Sequence, residues 1–176
     1  MLHSSHPAAD RPHVVMRCTR PAPRVATESP RPRSAHAVTG AASSEVTISV
    51  AKNVFIPSGI VGCSPASTSP AITDLDDNGL IWRTPPTDAL QGEVLAQVAV
   101  EQHQASTAAT MYVNNSYGQL LAESFKSAFQ DQDGQVAQEV SFQKGQSSYP
   151  SRISQALNDN PDVVVVIGYP ESGIQL

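Results

Sequence analysis

A chain of 176 residues with 11 basic and 16 acidic side chains is long enough for one ordinary core but short for two, and its net charge of −5 argues against a phosphate-backbone partner. The charge is unevenly spread: residues 1–36 hold six of the bases (Arg11, Arg17, Arg20, Arg24, Arg31, Arg33) against Asp10 and Glu28, and the rest holds five bases against fourteen acids. No nucleic-acid partner is expected for that acidic body, and no membrane insertion, since the longest apolar run (Val163 to Ile167) is far below the roughly 18 residues of a spanning helix.

Residues 1–33 are rich in Pro and Arg, lack apolar periodicity and are expected to form a disordered leader. No apolar run of about 7–15 residues follows their charge, so no secretory signal is visible. Ile60-Val61-Gly62-Cys63 has the small-residue look of a lipoprotein cleavage site, but Ile56-Pro57-Ser58-Gly59 interrupts the apolar run such a site needs upstream. Cys63 then fits a small buried hydrophobe in a strand, and nothing pairs it with Cys18 in the leader.

From residue 37 a strand end is followed by a Gly-Ala-Ala-Ser-Ser turn and a helix of about ten residues, on which Val46, Val50 and Val54 share one apolar face. A second strand covers Gly59–Cys63 and a third Leu80–Arg83, stopped by Pro85-Pro86. A helix follows in which Asp88 and Gln91 have capping-box spacing and Leu90, Val94, Leu95 and Val98 make an apolar stripe. Ala108–Val113 is a strand, "NNSYG" a turn, and Tyr117–Phe129 a helix with Leu121, Phe125 and Phe129 at four-residue intervals. Val136, Gln138, Val140 and Phe142 alternate as a half-buried strand does. Ser148 can cap a further helix with Pro150 in its first turn and Ile153, Ala156 and Leu157 inward. "VVVVIG" after Asp162 is an unbroken run of the kind buried on both faces of a parallel sheet.

Strand, helix, strand, helix, strand implies right-handed crossovers, so the fold class is α/β with a parallel sheet. The order stops where another helix should begin, as in a fragment. In such sheets ligands gather beyond the carboxyl ends of the strands, here the loops Gly40–Thr47, Ser64–Thr68, Asn114–Gly118 and Gly168–Gly173. They offer hydroxyls, free N–H groups, two aromatic rings and one acid. Signatures of dinucleotide, nucleotide, zinc-protease or serine-hydrolase chemistry are missing, so no catalytic residue, cofactor or metal is expected. His103 in "EQHQ" has the setting of a solvated surface residue, and Asp74, Asp76 and Asp77 that of a solvated loop.

"GAASSEVT", "CSPASTSPAIT", "WRTPPTDALQG", "MYVNNSYGQLLAESF" and "IGYPESG" occur in order and with suitable gaps. Together they resemble the type I periplasmic binding proteins, in particular the substrate-binding components of ABC transporters for leucine, isoleucine and valine. The resemblance implies two Rossmann-like lobes, here both incomplete (residues 34–103 and 104–176), closing on a small amino acid for delivery to an ABC permease. It implies a periplasmic or extracytoplasmic location for the parent protein. It makes Ala66, Ser67 and Thr68 a loop receiving the ligand's carboxylate and amino group, through the Ala66 backbone and the Thr68 backbone and hydroxyl. Ser43 or Ser44 would be a hydroxyl partner of that carboxylate, and Tyr117 and Tyr169 aromatic walls of the second lobe. Asp88 would cap its helix near the hinge. The acid that would meet the ammonium group belongs farther downstream, with Glu171 the nearby substitute and expected in solvent. A ligand-sensing domain of a receptor or regulator would have the same lobes.

Overall fold

The computed structural model describes residues 35–146 and 148–173; the expected leader and Cys18 lie outside them. Among the described residues, strands form two parallel three-stranded sheets, in the orders β1-β2-β3 and β5-β4-β6. The parallel α/β expectation is thereby met, and two sheets agree with the two Rossmann-like lobes that the resemblance implies.

In the first sheet, β1 (Ala37–Thr39), β2 (Val61–Ser64) and β3 (Ile81–Arg83) place Thr39 opposite Cys63 and Ser64 opposite Arg83. Cys63 is half-buried. Between β1 and β2 one helical run comprises α1 (Ser44–Val50), a π-helical turn (Ala51–Phe55) and α2 (Ile56–Ser58). It is ended by Gly59 at φ 65°, a left-handed conformation that glycine adopts without side-chain cost. The apolar face expected from Val46, Val50 and Val54 is not the buried one: Val46 and Val54 are 47% and 46% exposed. Ser44, Thr47, Ala51 and Phe55 face inward instead. The reason is proximity, for Thr47 Oγ1 lies 2.8 Å from Ser67 Oγ in the loop after β2, a contact that only a short hydroxyl side chain can make.

The second sheet carries the main core. β4 (Thr107–Val113) pairs with β5 (Gln135–Phe142) on one side and β6 (Val163–Ile167) on the other. Along α4 (Ser116–Gln130) the predicted stripe of Leu121, Phe125 and Phe129 is buried, and on β5 Val140 and Phe142 are buried while Glu139 is exposed. Three expectations fail nearby. The N-cap of α5 (Pro150–Ala156) is Tyr149, not Ser148, with no side-chain capping bond. Leu157 is 52% exposed because the helix ends one residue before it. Val166 is 51% exposed rather than buried, β6 being the outer strand of its sheet among the described residues. At the start of β6, Asp162 Oδ2 accepts from the N–H groups of Ser106 and Thr107 (both 2.9 Å) and from both their hydroxyls.

A helix connects the two sheets. α3 (Asp88–Gln97) continues as a π-helical turn (Val98–Gln102). Its N-cap is Thr87, whose Oγ1 accepts from Ala89 N at 3.3 Å, so Asp88 is not the cap. The expected apolar stripe is met only in part: Leu95 and Val98 are half-buried, Leu90 and Val94 are each 49% exposed, and the buried face is Asp88, Gly92, Ala96 and Ala99. This face packs on α4 so closely that a Cβ on Gly92 would come within 2.6 Å of Phe125 N. Only small residues fit that crossing, which is why the larger Leu90 and Val94 turn outward. Ala96 and Ala99 join Ala105, Ala108, Phe125 and Phe129 in one cluster beneath the second sheet. α6 (Pro170–Gly173) follows β6.

Candidate ligand-binding cleft

The loops after β1, β2, β4 and β6 meet around one cavity of about 290 Å³. Its floor comes from the first sheet: Ala42, Ser43 and Ser44 from the α1 entry, and Ala66 and Thr68 from the loop after β2. Its wall comes from the other side: Gln91 on α3, Tyr117 on α4, and Gly168 and Tyr169 after β6.

The floor is built from hydroxyls bonded to backbone. The Ala41 carbonyl accepts from Thr47 Oγ1 (3.1 Å), from Ser64 Oγ, and from Ser67 Oγ (3.3 Å). Ser64 Oγ in turn accepts from Ser67 N at 3.0 Å. Ser44 Oγ accepts from Thr68 N (3.3 Å) and Ser69 N (3.2 Å), tying the helix entry to the neighbouring loop. Arg83 closes the loop from below: Nη1 donates to the carbonyls of Thr68 (3.1 Å) and Ser69 (2.7 Å), and Nη2 to Thr73. Ser69 Oγ donates to Ser116 O at 3.3 Å, a direct link between the two sides.

The wall is aromatic and amide. Asn115 caps α4, its Oδ1 accepting from Tyr117 N (3.1 Å) and Gly118 N (3.0 Å), while its Nδ2 donates to Tyr169 Oη at 3.0 Å. Tyr117 and Tyr169 stand with ring centroids 5.7 Å apart and tilted by 35°, and Lys144 Nζ lies 4.9 Å from the Tyr169 ring centroid. Burial raises the Tyr117 pKa, with the nearby Asp88 and Tyr169 adding to the effect. Asp88 itself is fully buried; that burial pushes its pKa up, against the opposing pull of the Thr68 hydroxyl and Arg83.

Residues 31–176 match the family described as periplasmic binding protein. The chain belongs to that family. It is 32% identical over 115 residues to the chemotactic signal transduction system substrate-binding protein BasB of Halobacterium salinarum, covering 62% of this chain and 27% of that protein. It is 28% identical over 127 residues to the leucine-, isoleucine-, valine-, threonine- and alanine-binding protein of Pseudomonas aeruginosa, covering 72% and 34%. Among solved structures, the leucine-binding protein LivK of Thermotoga maritima superposes with a TM-score of 0.70 at 25% identity, covering 76% of this chain and 37% of that one. The chain thus spans about a third of the length of these relatives.

Of the residues expected at a site in this member of the periplasmic binding proteins, Ser43, Ser44, Ala66, Thr68, Tyr117 and Tyr169 all line the one cavity. Ser67 does not. It is fully buried beneath the floor, and its hydroxyl is taken by Thr47 and Ala41. Ser43 and Ser44 differ in what they have left to offer: Ser44 Oγ already accepts from two N–H groups, whereas Ser43, at the N-cap of α1, makes no side-chain capping bond. Ala42 and Gly168 fall within the expected loops without having been singled out, and Gln91 lies outside those loops. Gln91 is exposed on α3, one turn after the buried Asp88, and no signal in its residue type singles it out. The Glu171 side chain lies outside the described residues. Asp77 has a local task, accepting from Gly79 N and Ile81 N at 2.8 Å each in the turn before β3, and His103 is exposed. Among the described residues no three His, Cys, Asp or Glu side chains gather as a metal site, and no helix is long and apolar enough to cross a membrane.

Proposed function

We propose that this chain binds the zwitterion of a small amino acid, with a branched aliphatic side chain, in the cleft between its two sheets, without chemistry, for delivery to an ABC permease outside the cytoplasm. The observation that carries this reading is the meeting of Ser43, Ser44, Ala66 and Thr68 with Tyr117 and Tyr169 around one cavity. A zwitterion leaving water needs a partner for each oxygen and ammonium proton, because an unpaired buried charge is costly. In this reading the hydroxyls and N–H groups of the floor meet the carboxylate, the Ala66 carbonyl and Thr68 hydroxyl meet the amine, and the tyrosine rings cover the aliphatic part. Ser67 shapes the floor from beneath. The two lobes, over residues 34–103 and 104–176, close by a hinge motion, and no proton moves. The names of the relatives from Pseudomonas aeruginosa and Thermotoga maritima support the branched aliphatic class.

The test is calorimetry and thermal unfolding with leucine, isoleucine and valine. A ligand at 100 times its Kd stabilises by about 2.7 kcal/mol, so a clear rise in Tm is expected. Thr68→Ala and Tyr117→Ala should reduce or abolish it. No shift with any amino acid sinks the reading. A second role for the same cleft, ligand sensing, is favoured by the similarity to a chemotactic signal transduction protein. Loss of amino-acid uptake on deletion supports transport, and loss of chemotaxis with uptake intact supports sensing.

A further inference from the structure

The hydrogen-bond polarity of the Tyr169 hydroxyl is fixed from outside the cavity, by Asn115. A side-chain amide can be turned either way, and its orientation follows from its partners. At Asn115 two backbone donors decide it. The N–H groups of Tyr117 and Gly118, at 3.1 and 3.0 Å, lie in the first turn of α4, where no intrahelical acceptor is available to them. The amide oxygen must therefore face these two groups. The amide nitrogen, which only donates, is left facing Tyr169 Oη at 3.0 Å.

A phenol that accepts from an amide still has its own hydrogen to give. Among the described residues nothing takes it, the bond from Asn115 being the one that Tyr169 Oη makes. Lys144, with Nζ 4.9 Å from the Tyr169 ring centroid, carries an ammonium group and has no lone pair to offer. Tyr117 meets Tyr169 ring to ring, with centroids 5.7 Å apart. Tyr169 lines the cavity together with Gly168, both directly after β6. The wall is thus more than an aromatic surface: it holds a donor with no acceptor of its own.

We propose that Asn115 is a positioning residue that makes the Tyr169 hydroxyl a hydrogen-bond donor to the bound molecule. The cleft thereby takes amino acids whose side chain carries an acceptor oxygen, alongside the branched aliphatic ones. This inference rests on the amino-acid reading of the cleft. In that reading the floor takes the carboxylate and the amine, so the part that reaches the wall is the side chain. An apolar side chain leaves the Tyr169 hydrogen unpaired, and a hydroxyl of the same shape pairs with it.

Valine and threonine, which exchange one methyl for a hydroxyl at nearly equal volume, are the probes, in calorimetry on the full chain. Tyr169→Phe removes the donor. Asn115→Asp reverses its direction: one carboxylate oxygen keeps the cap, which Asp forms as well as Asn, and the other accepts the Tyr169 hydrogen and withdraws it from the cavity. Each variant should lower the threonine-to-valine affinity ratio by roughly 2- to 12-fold, the range for one net hydrogen bond. The double variant should lower it no further than either alone, because both act on one hydrogen. The ligand-free Tm of Asn115→Asp should match or exceed that of the unaltered chain. A ratio unchanged in both folded variants overturns the inference, and so does an equal loss for threonine and valine, which would mark a general role in shaping the wall. Ultraviolet Raman difference spectra against Tyr169→Phe read the same hydroxyl without ligand. The tyrosine doublet should shift toward a strongly donating phenol in Asn115→Asp, and a doublet that does not move overturns the part assigned to Asn115. If the unaltered chain binds neither amino acid, the amino-acid reading falls and the side-chain preference falls with it, while the doublet still decides the polarity of Tyr169.

Discussion

Around the second sheet, Phe125 stacks on Phe129 and Phe142 meets Tyr149 edge-on, each pair at 5.3 Å between ring centroids and all four side chains buried. The first sheet buries fewer apolar side chains, Ala51, Phe55 and Ile72, and beside them Ser44, Thr47, Ser64, Ser67 and Ser69 are buried and joined by hydrogen bonds to backbone and to one another. One side of the cleft therefore stands on a dispersion-packed core and the other on a polar network. Hydrophobic packing tolerates small displacements at modest cost, whereas hydrogen bonds fix direction. The difference suits a cleft whose floor must aim donors and acceptors while its wall supplies apolar surface.

The contrast predicts unequal responses to truncation. Phe125→Ala should be the most damaging change, costing about 3–5 kcal/mol in denaturant unfolding, because it opens a cavity where α3, α4 and the second sheet meet. A cost near 1 kcal/mol would mean that the aromatic core is not the main support. Ser67→Ala on the polar side should cost about 1 kcal/mol, one net hydrogen bond, since Ala41 O keeps Thr47 and Ser64 as donors. A loss as large as that of Phe125→Ala would erase the distinction between the two sides.

The smallest effect concerns pH. Asp162 has its pKa lowered from 3.8 to about 2, first by the N–H groups of Ser106 and Thr107 and then by their hydroxyls. A depressed folded-state value means that the stabilisation is fully present above pH 3.8 and is lost as pH falls through about 2. The β4–β6 junction should loosen in that window, seen as faster amide exchange at Ser106 and Thr107. Asp162→Asn should flatten the dependence, and an unchanged acid profile would show that other carboxylates control it.

How much of this was legible in the sequence follows from side-chain size. The inward face of α4 was readable because it is filled by Leu121, Phe125 and Phe129, which hydropathy ranks as buried. The faces of α1 and α3 were not, because both helices approach a neighbour too closely for large side chains. At such crossings Ser44, Thr47, Gly92 and Ala96 go inward, and Val46, Leu90 and Val94 are displaced to the surface. Periodicity counts bulky apolar residues and cannot see a backbone drawing near. The candidate cleft was more legible than the helices beneath it, since a parallel sheet forces its following loops to one end. Which hydroxyls reach the cavity and which lie under it depends on the Ala41 carbonyl, a backbone atom with no signature in residue types.

That carbonyl offers two lone pairs to three hydroxyls, those of Thr47, Ser64 and Ser67, while Thr47 and Ser67 also bond to each other at 2.8 Å. Two wirings satisfy the group: Thr47 gives its hydrogen to Ala41 and receives that of Ser67, or Ser67 gives to Ala41 and receives that of Thr47. Heavy atoms need not shift between them. The scaffold is therefore rigid in its skeleton yet switchable in its hydrogens, and its local dipole can reverse without any change of shape.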